Sequence, residues 1–255
     1  MNALLKKFQE FGVVPVVVLD DAKDAEPLAK ALCDGGLACA EVTFRTDAAE
    51  ESIRIMAQAF PDMLVGAGTV LTIDQVDRAV AAGAKFIVSP GLNPKVVSYC
   101  IEKHIPITPG VQTPSEIEQA LEFGLDVVKF FPAEAAGGLK MIKALAGPYV
   151  NLKFMPTGGI STKNAPEYLA YDKILAVGGS WVAKKELINA GKFDEITAIA
   201  KEAVEMSKAA RAKYSPLKTI QRCCNFLCAV FCRRKSAAGR YSESLSSKGE
   251  KRLWI

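Results

Sequence analysis

The chain has 255 residues, half of them hydrophobic and 24% charged, enough to bury a large core in one α/β barrel or two small domains. Its net charge of +4 conceals an uneven distribution: residues 216–255 hold nine Lys and Arg against two acidic residues, whereas residues 1–215 hold 23 against 26. A mildly acidic body offers no electrostatic footprint for nucleic acid, and seven cysteines, an odd number with irregular placement, do not make a secreted disulfide framework.

The opening "MNALLKKFQEFG" reads as a short amphipathic helix whose apolar run is too brief for a signal peptide. With no 18-residue uncharged apolar span, a cytoplasmic location is expected. From Val13 onward, short β-prone runs alternate with segments of helical period. The first four runs are "VVPVVVL" from Val13, "CAEVTFR" from Cys39, "MLVGAGT" from Met63 and "KFIVSP" from Lys85. The other four are "IPITPG" from Ile105, "DVVKFFP" from Asp126, "LKFMPTGG" from Leu152 and "KILAVGGS" from Lys173. Helices between them have recognisable ends: Thr72 before "IDQVDRAVAAG", Thr113-Pro114 before "SEIEQALEFG", and Gly83 and Gly124 as their stops.

Eight parallel strands, each leading into a helix, predict an α/β protein with a (β/α)8 TIM barrel, an N-terminal helix and a C-terminal extension. The rival, an open doubly wound sheet, lacks its G-x-G-x-x-G fingerprint, of which "GAGTVL" has only the first half. A long helix from Phe193 closes the barrel domain, residues 1–215, and Ser215-Pro216 marks the boundary to the tail, residues 216–255.

Barrel active sites lie at the C-terminal strand ends. Alternation in the second run sets Glu41, Thr43 and Arg45 on one face. A structural ion pair is the plain reading; a strand would make the three converge. The sixth run places Lys129 among Val127, Val128, Phe130 and Phe131. Burial disfavours an ammonium, so a desolvated lysine suits Schiff-base chemistry on a carbonyl, whereas a lysine snorkelling at the rim would serve none. The seventh and eighth runs end in Gly158-Gly159 and Gly178-Gly179-Ser180; a single Gly-Gly reads as a plain turn, but two at corresponding strand ends favour backbone N–H groups that bind phosphate. His104, the only histidine, follows a helix and is expected to face solvent, which argues against a Ser-His-Asp triad or a His-rich metal site.

With these residues placed, the chain resembles the 2-keto-3-deoxy-6-phosphogluconate (KDPG) and 4-hydroxy-2-oxoglutarate (KHG) aldolase family. The likeness runs from about Asn2 to Lys208 through "EVTFRT", "VGAGTV", "SPGLNP", "VKFFPAE", "PTGGIS" and "GGSW" in family order. It implies a class I lyase that needs no metal or other cofactor and assembles as a homotrimer. Lys129 then matches the Schiff-base lysine and Glu41 the general acid/base, while Arg45 and Thr69 match the groups that hold the pyruvyl carboxylate. Pro90 and Thr157 match residues that orient substrate; Gly158, Gly159, Gly179 and Ser180 match the phosphate cradle. The partners implied are a phosphorylated 2-keto sugar acid and pyruvate, with no nucleic acid. Ala136 and Gln112 depart from the pattern without removing a catalytic group, the second at a place where sugar-end specificity could change. An idle barrel used as a scaffold, and a phosphate-binding sugar isomerase or epimerase, are the competing readings.

The tail has no counterpart in that pattern. Cys224, Cys228 and Cys232 recur every four residues, which admits a soft-metal site or an acylated amphipathic helix at a membrane. Its Ser, Lys, Gly and Arg content after Arg233 favours a largely disordered extension without membrane contact.

Overall fold

The computed structural model describes residues 3–213. The expectations for the tail, including its four cysteines, lie outside the described residues. Helix α1 (Ala3–Phe11) confirms the amphipathic opening: Leu5 and Phe8 are buried, and Gly12 ends it at φ +71°.

The strands are β1 (Val13–Val17), β2 (Cys39–Thr43), β3 (Leu64–Gly68), β4 (Ile87–Val88), β5 (Ile107–Thr108), β6 (Gly110–Val111), β7 (Val127–Phe130), β8 (Lys153–Pro156) and β9 (Val177–Gly179). The helices are α2 (Ala25–Asp34), α3 (Ala49–Ala59), α4 (Ile73–Ala81), α5 (Pro94–Glu102), α6 (Pro114–Glu122), α7 (Gly138–Ala146), α8 (Ala165–Leu169), α9 (Lys185–Asn189) and α10 (Phe193–Lys213). Every strand pair is parallel, in a six-stranded sheet ordered β5-β4-β3-β2-β1-β9 and a three-stranded sheet ordered β6-β7-β8. The protein is therefore an α/β fold built on curled parallel sheet. Each expected strand run is occupied, but the ladders are shorter than the apolar runs. Pro109, which has no N–H to donate, divides the run from Ile105: β5 pairs with β4 and β6 pairs with β7. In the last run, Ile174 makes only a single bridge to Phe154, and the ladder with β1 begins at Val177.

All residues of β1, β2, β3 and β7 are buried, as strands covered on both faces must be. Helices cover them through apolar stripes such as Leu28 and Leu32 of α2 and Val76 and Ala79 of α4. Thr72 caps α4 by accepting from the Gln75 N–H, and Thr113 and Glu116 form a reciprocal capping box on α6. On β3, alternate residues Gly66 and Gly68 leave room for the Phe86 ring and the Glu41 side chain. Phe86, seated against Gly66, packs edge-to-face on Phe8 at 4.9 Å between centroids, which ties α1 to the sheet.

Candidate active site

Lys129 is held by strand hydrogen bonding on both sides: its Cα pairs with Gly110 and with Met155, and its N–H donates to Pro109 O at 2.9 Å. Its side chain crosses to β2, where Nζ donates to Glu41 Oε1 at 3.2 Å. The two residues are 5% and 4% exposed, so this is a desolvated ion pair. Burial of two charges is offset only by close pairing, and removing one partner strands the other. The Phe131 ring supplies a further contact, its centroid 5.1 Å from Nζ. One proton passing along the Nζ–Oε1 bond would leave a neutral amine beside a carboxylic acid, the pair that attack on a carbonyl requires.

Glu41 reaches Nζ because β3 has no side chain in its way. A Cβ on Gly68 would lie 2.6 Å from Glu41 Cγ, closer than two carbons pack. The expected convergence of Glu41, Thr43 and Arg45 is thus divided among three partners. Thr43 Oγ1 donates to Val17 O at 3.0 Å, a backbone tie within the sheet. Arg45 lies beyond the end of β2, exposed, and its Nε donates to Thr69 Oγ1 at 3.2 Å. Thr69 has φ +55°, an unfavourable conformation for a β-branched residue that turns the chain sharply after β3.

The other expected residues line strand ends. Pro90 is half-buried after β4. Thr157 is buried after β8: its N–H donates to Phe130 O at 3.0 Å and its carbonyl accepts from Ala133 N–H at 2.8 Å. A parallel bridge from Thr157 to Gly178 sets the ends of β8 and β9 side by side. Gly158 and Gly159 follow Thr157 at φ +98° and +77°, Gly179 ends β9, and Ser180 is exposed beside it. The Gly158-Gly159 turn therefore adjoins the end of β9. Gln112 is exposed and donates through Nε2 to Phe131 O at 2.7 Å. His104 is exposed after α5, as expected.

Three features escaped the sequence. Local pattern marks Phe131 only as an apolar neighbour of Lys129 and Gly68 only as part of a motif, although the alternating glycines of "VGAG" carry a signal for the second. The third is a hydrogen bond from the Tyr168 hydroxyl to Glu134 Oε1, between residues 34 apart for which no spacing rule exists. Burial, reinforced by Glu134, pushes the Tyr168 phenol well above its usual range.

A model of the KDPG and KHG aldolase family matches residues 4–199. A 2-dehydro-3-deoxy-phosphogluconate aldolase of Haemophilus influenzae is 51% identical over 205 residues, covering 80% of this chain and 97% of that protein. A protein of the same description from Treponema pallidum is 49% identical, covering 81% and 98%. Among solved structures, the KDPG aldolase of Legionella pneumophila, with pyruvate captured as a covalent carbinolamine, superposes with TM-score 0.77 at 41% identity, covering 79% and 98%. Among the described residues, no helix is long and apolar enough to cross a membrane.

Proposed function

Because the chain belongs to the KDPG and KHG aldolase family, we propose that it is a class I aldolase that cleaves 2-keto-3-deoxy-6-phosphogluconate to pyruvate and glyceraldehyde 3-phosphate. The same site would cleave 4-hydroxy-2-oxoglutarate to pyruvate and glyoxylate. The observation that carries the reading is the buried contact of Lys129 Nζ with Glu41 Oε1.

Lys129 attacks the C2 ketone as an amine, and Glu41 shuttles the proton as the carbinolamine loses water to the imine. Glu41 then removes the C4 hydroxyl proton. The C3–C4 bond breaks, its electrons pass into the protonated imine to give an enamine, and the aldehyde leaves. Protonation at C3 and hydrolysis of the imine release pyruvate and restore Lys129. Arg45 holds the pyruvyl carboxylate with Thr69, a role supported by their contact at the rim. Pro90 and Thr157 orient the substrate, and Gly158, Gly159, Gly179 and Ser180 receive its phosphate. This last assignment is supported by the adjacency of the Gly158-Gly159 turn to the end of β9.

The scaffold is read as a closed eight-stranded barrel over residues 1–215, with β5 and β6 as two halves of one strand. The bridges Phe154 to Ile174 and Thr157 to Gly178 support closure between β8 and the last strand run. Assembly as a trimer rests on the family resemblance, and sedimentation at the mass of three chains tests it. The chemistry is tested by borohydride reduction in the presence of pyruvate, with peptide mapping by mass spectrometry. A carboxyethyl adduct on Lys129 is expected; adduct on another lysine, or none, overturns the assignment.

A further inference from the structure

The Gly158-Gly159 turn is gripped from two sides. From the loop after β7, Glu134 N–H donates to Gly158 O at 3.1 Å, and on the other side Asn164 Nδ2 donates to Gly159 O at 3.1 Å. Gly159 lies against the Glu134 stem, so that a Cβ there would sit 2.6 Å from Glu134 Cβ. Glu134 is itself on an exposed loop, where a side chain ordinarily samples several rotamers. Its carboxylate is instead tied to the hydroxyl of Tyr168, which is 2% exposed on α8, the helix that follows the glycine turn. One buried phenol thus joins the loop after β7 to the helix that follows the glycine turn.

We infer that Glu134 and Tyr168 are a positioning pair: their hydrogen bond fixes the Gly158-Gly159 backbone for the substrate phosphate and so sets the preference for phosphorylated over unphosphorylated 2-keto acids. This rests on the phosphate assignment above. Tyr168 and Glu134 bond to each other and Lys129 bonds to Glu41, so the pair is separate from the groups that carry the enamine chemistry.

The test measures kcat and KM for 2-keto-3-deoxy-6-phosphogluconate and for 4-hydroxy-2-oxoglutarate, which has no phosphate, in Tyr168→Phe, Glu134→Ala and the double variant. Tyr168→Phe keeps the packed ring, and Glu134→Ala changes an exposed position should the first fold poorly. In each single variant KM for the phosphorylated substrate should rise about tenfold with kcat nearly unchanged, the loss of one charge-assisted hydrogen bond. The unphosphorylated substrate and borohydride trapping of pyruvate should be unaffected, and the double variant should be no worse than the singles. Parallel loss on both substrates, additive losses, or unchanged KM overturns the pairing. Should the wild type itself show no preference for the phosphorylated substrate, the phosphate assignment fails; a preference that survives in the variants defeats this inference alone.

Discussion

Gly68→Ala tests whether the absence of a side chain on β3 is what lets Glu41 serve Lys129. The added methyl carbon would lie 2.6 Å from Glu41 Cγ. Carbon atoms pack at about 3.5 Å or more, so the Glu41 side chain must retreat by about 1 Å. β3 is paired with β2 along its whole length and is fully buried, which leaves the strand little freedom to yield instead. A misplacement of about 1 Å costs a reacting group on the order of 100-fold, so kcat/KM should fall by about that factor. Overpacking of this kind costs about 1–3 kcal/mol of stability, which lowers Tm by about 2–4 °C for each kcal/mol in a domain of this size. Steady-state cleavage assays, with thermal denaturation on the same preparations, measure both. A folded Gly68→Ala protein with near-wild-type kcat/KM would refute the steric argument.

Lys129→Met should abolish cleavage and destabilise the fold by about 3–5 kcal/mol through the stranded Glu41 charge, and adding Glu41→Gln should restore part of that loss; denaturant titration of the two variants measures it. Glu116 desolvation raises its pKa, but hydrogen bonds from Gln112 N–H and from Thr113 outweigh this and hold it below its ordinary 4.5. A depressed folded value stabilises above the unfolded pKa, so the deficit of Glu116→Ala should be full above pH 4.5 and vanish as pH falls through the lower folded value in acid-unfolding curves. Burial pushes the Cys39 thiol far above 9.0, and burial with Asp77 pushes Cys100 up to about 11. Thiol labelling followed by peptide mapping should modify half-buried Cys33 first of these three, with Cys39 and Cys100 protected until unfolding.

Alternation and apolar runs located the sheet and the two ionisable groups at its centre, because both are properties of a few consecutive residues. What they could not carry was partnership. Thr43 shares a face with Glu41, yet its hydroxyl goes to the Val17 carbonyl, a choice made by the neighbouring strand. Arg45 was expected to extend the strand, but β2 ends at Thr43 and the guanidinium is delivered from the rim. The run from Ile105 reads as one strand although its proline splits the pairing between two sheets. Tyr168 sits in a five-residue helix with no periodicity to announce it, and its role depends on a contact with a loop 34 residues earlier. Local pattern fixes which face a residue takes; long-range geometry decides what it meets there.

Lys129 and Glu41 are rooted in ladder-bonded strands, whereas the glycine turn and Glu134 belong to loops laid over the strand ends. For an engineer the two layers are separable. New aldehyde acceptors should be sought by recasting residues 131–138 and 158–164 as one unit, since a change to either loop alone would break the bonds that hold it to the other. Lys129 and Glu41 would stay untouched beneath, leaving the proposed enamine chemistry unchanged for whichever partner the remodelled rim admits.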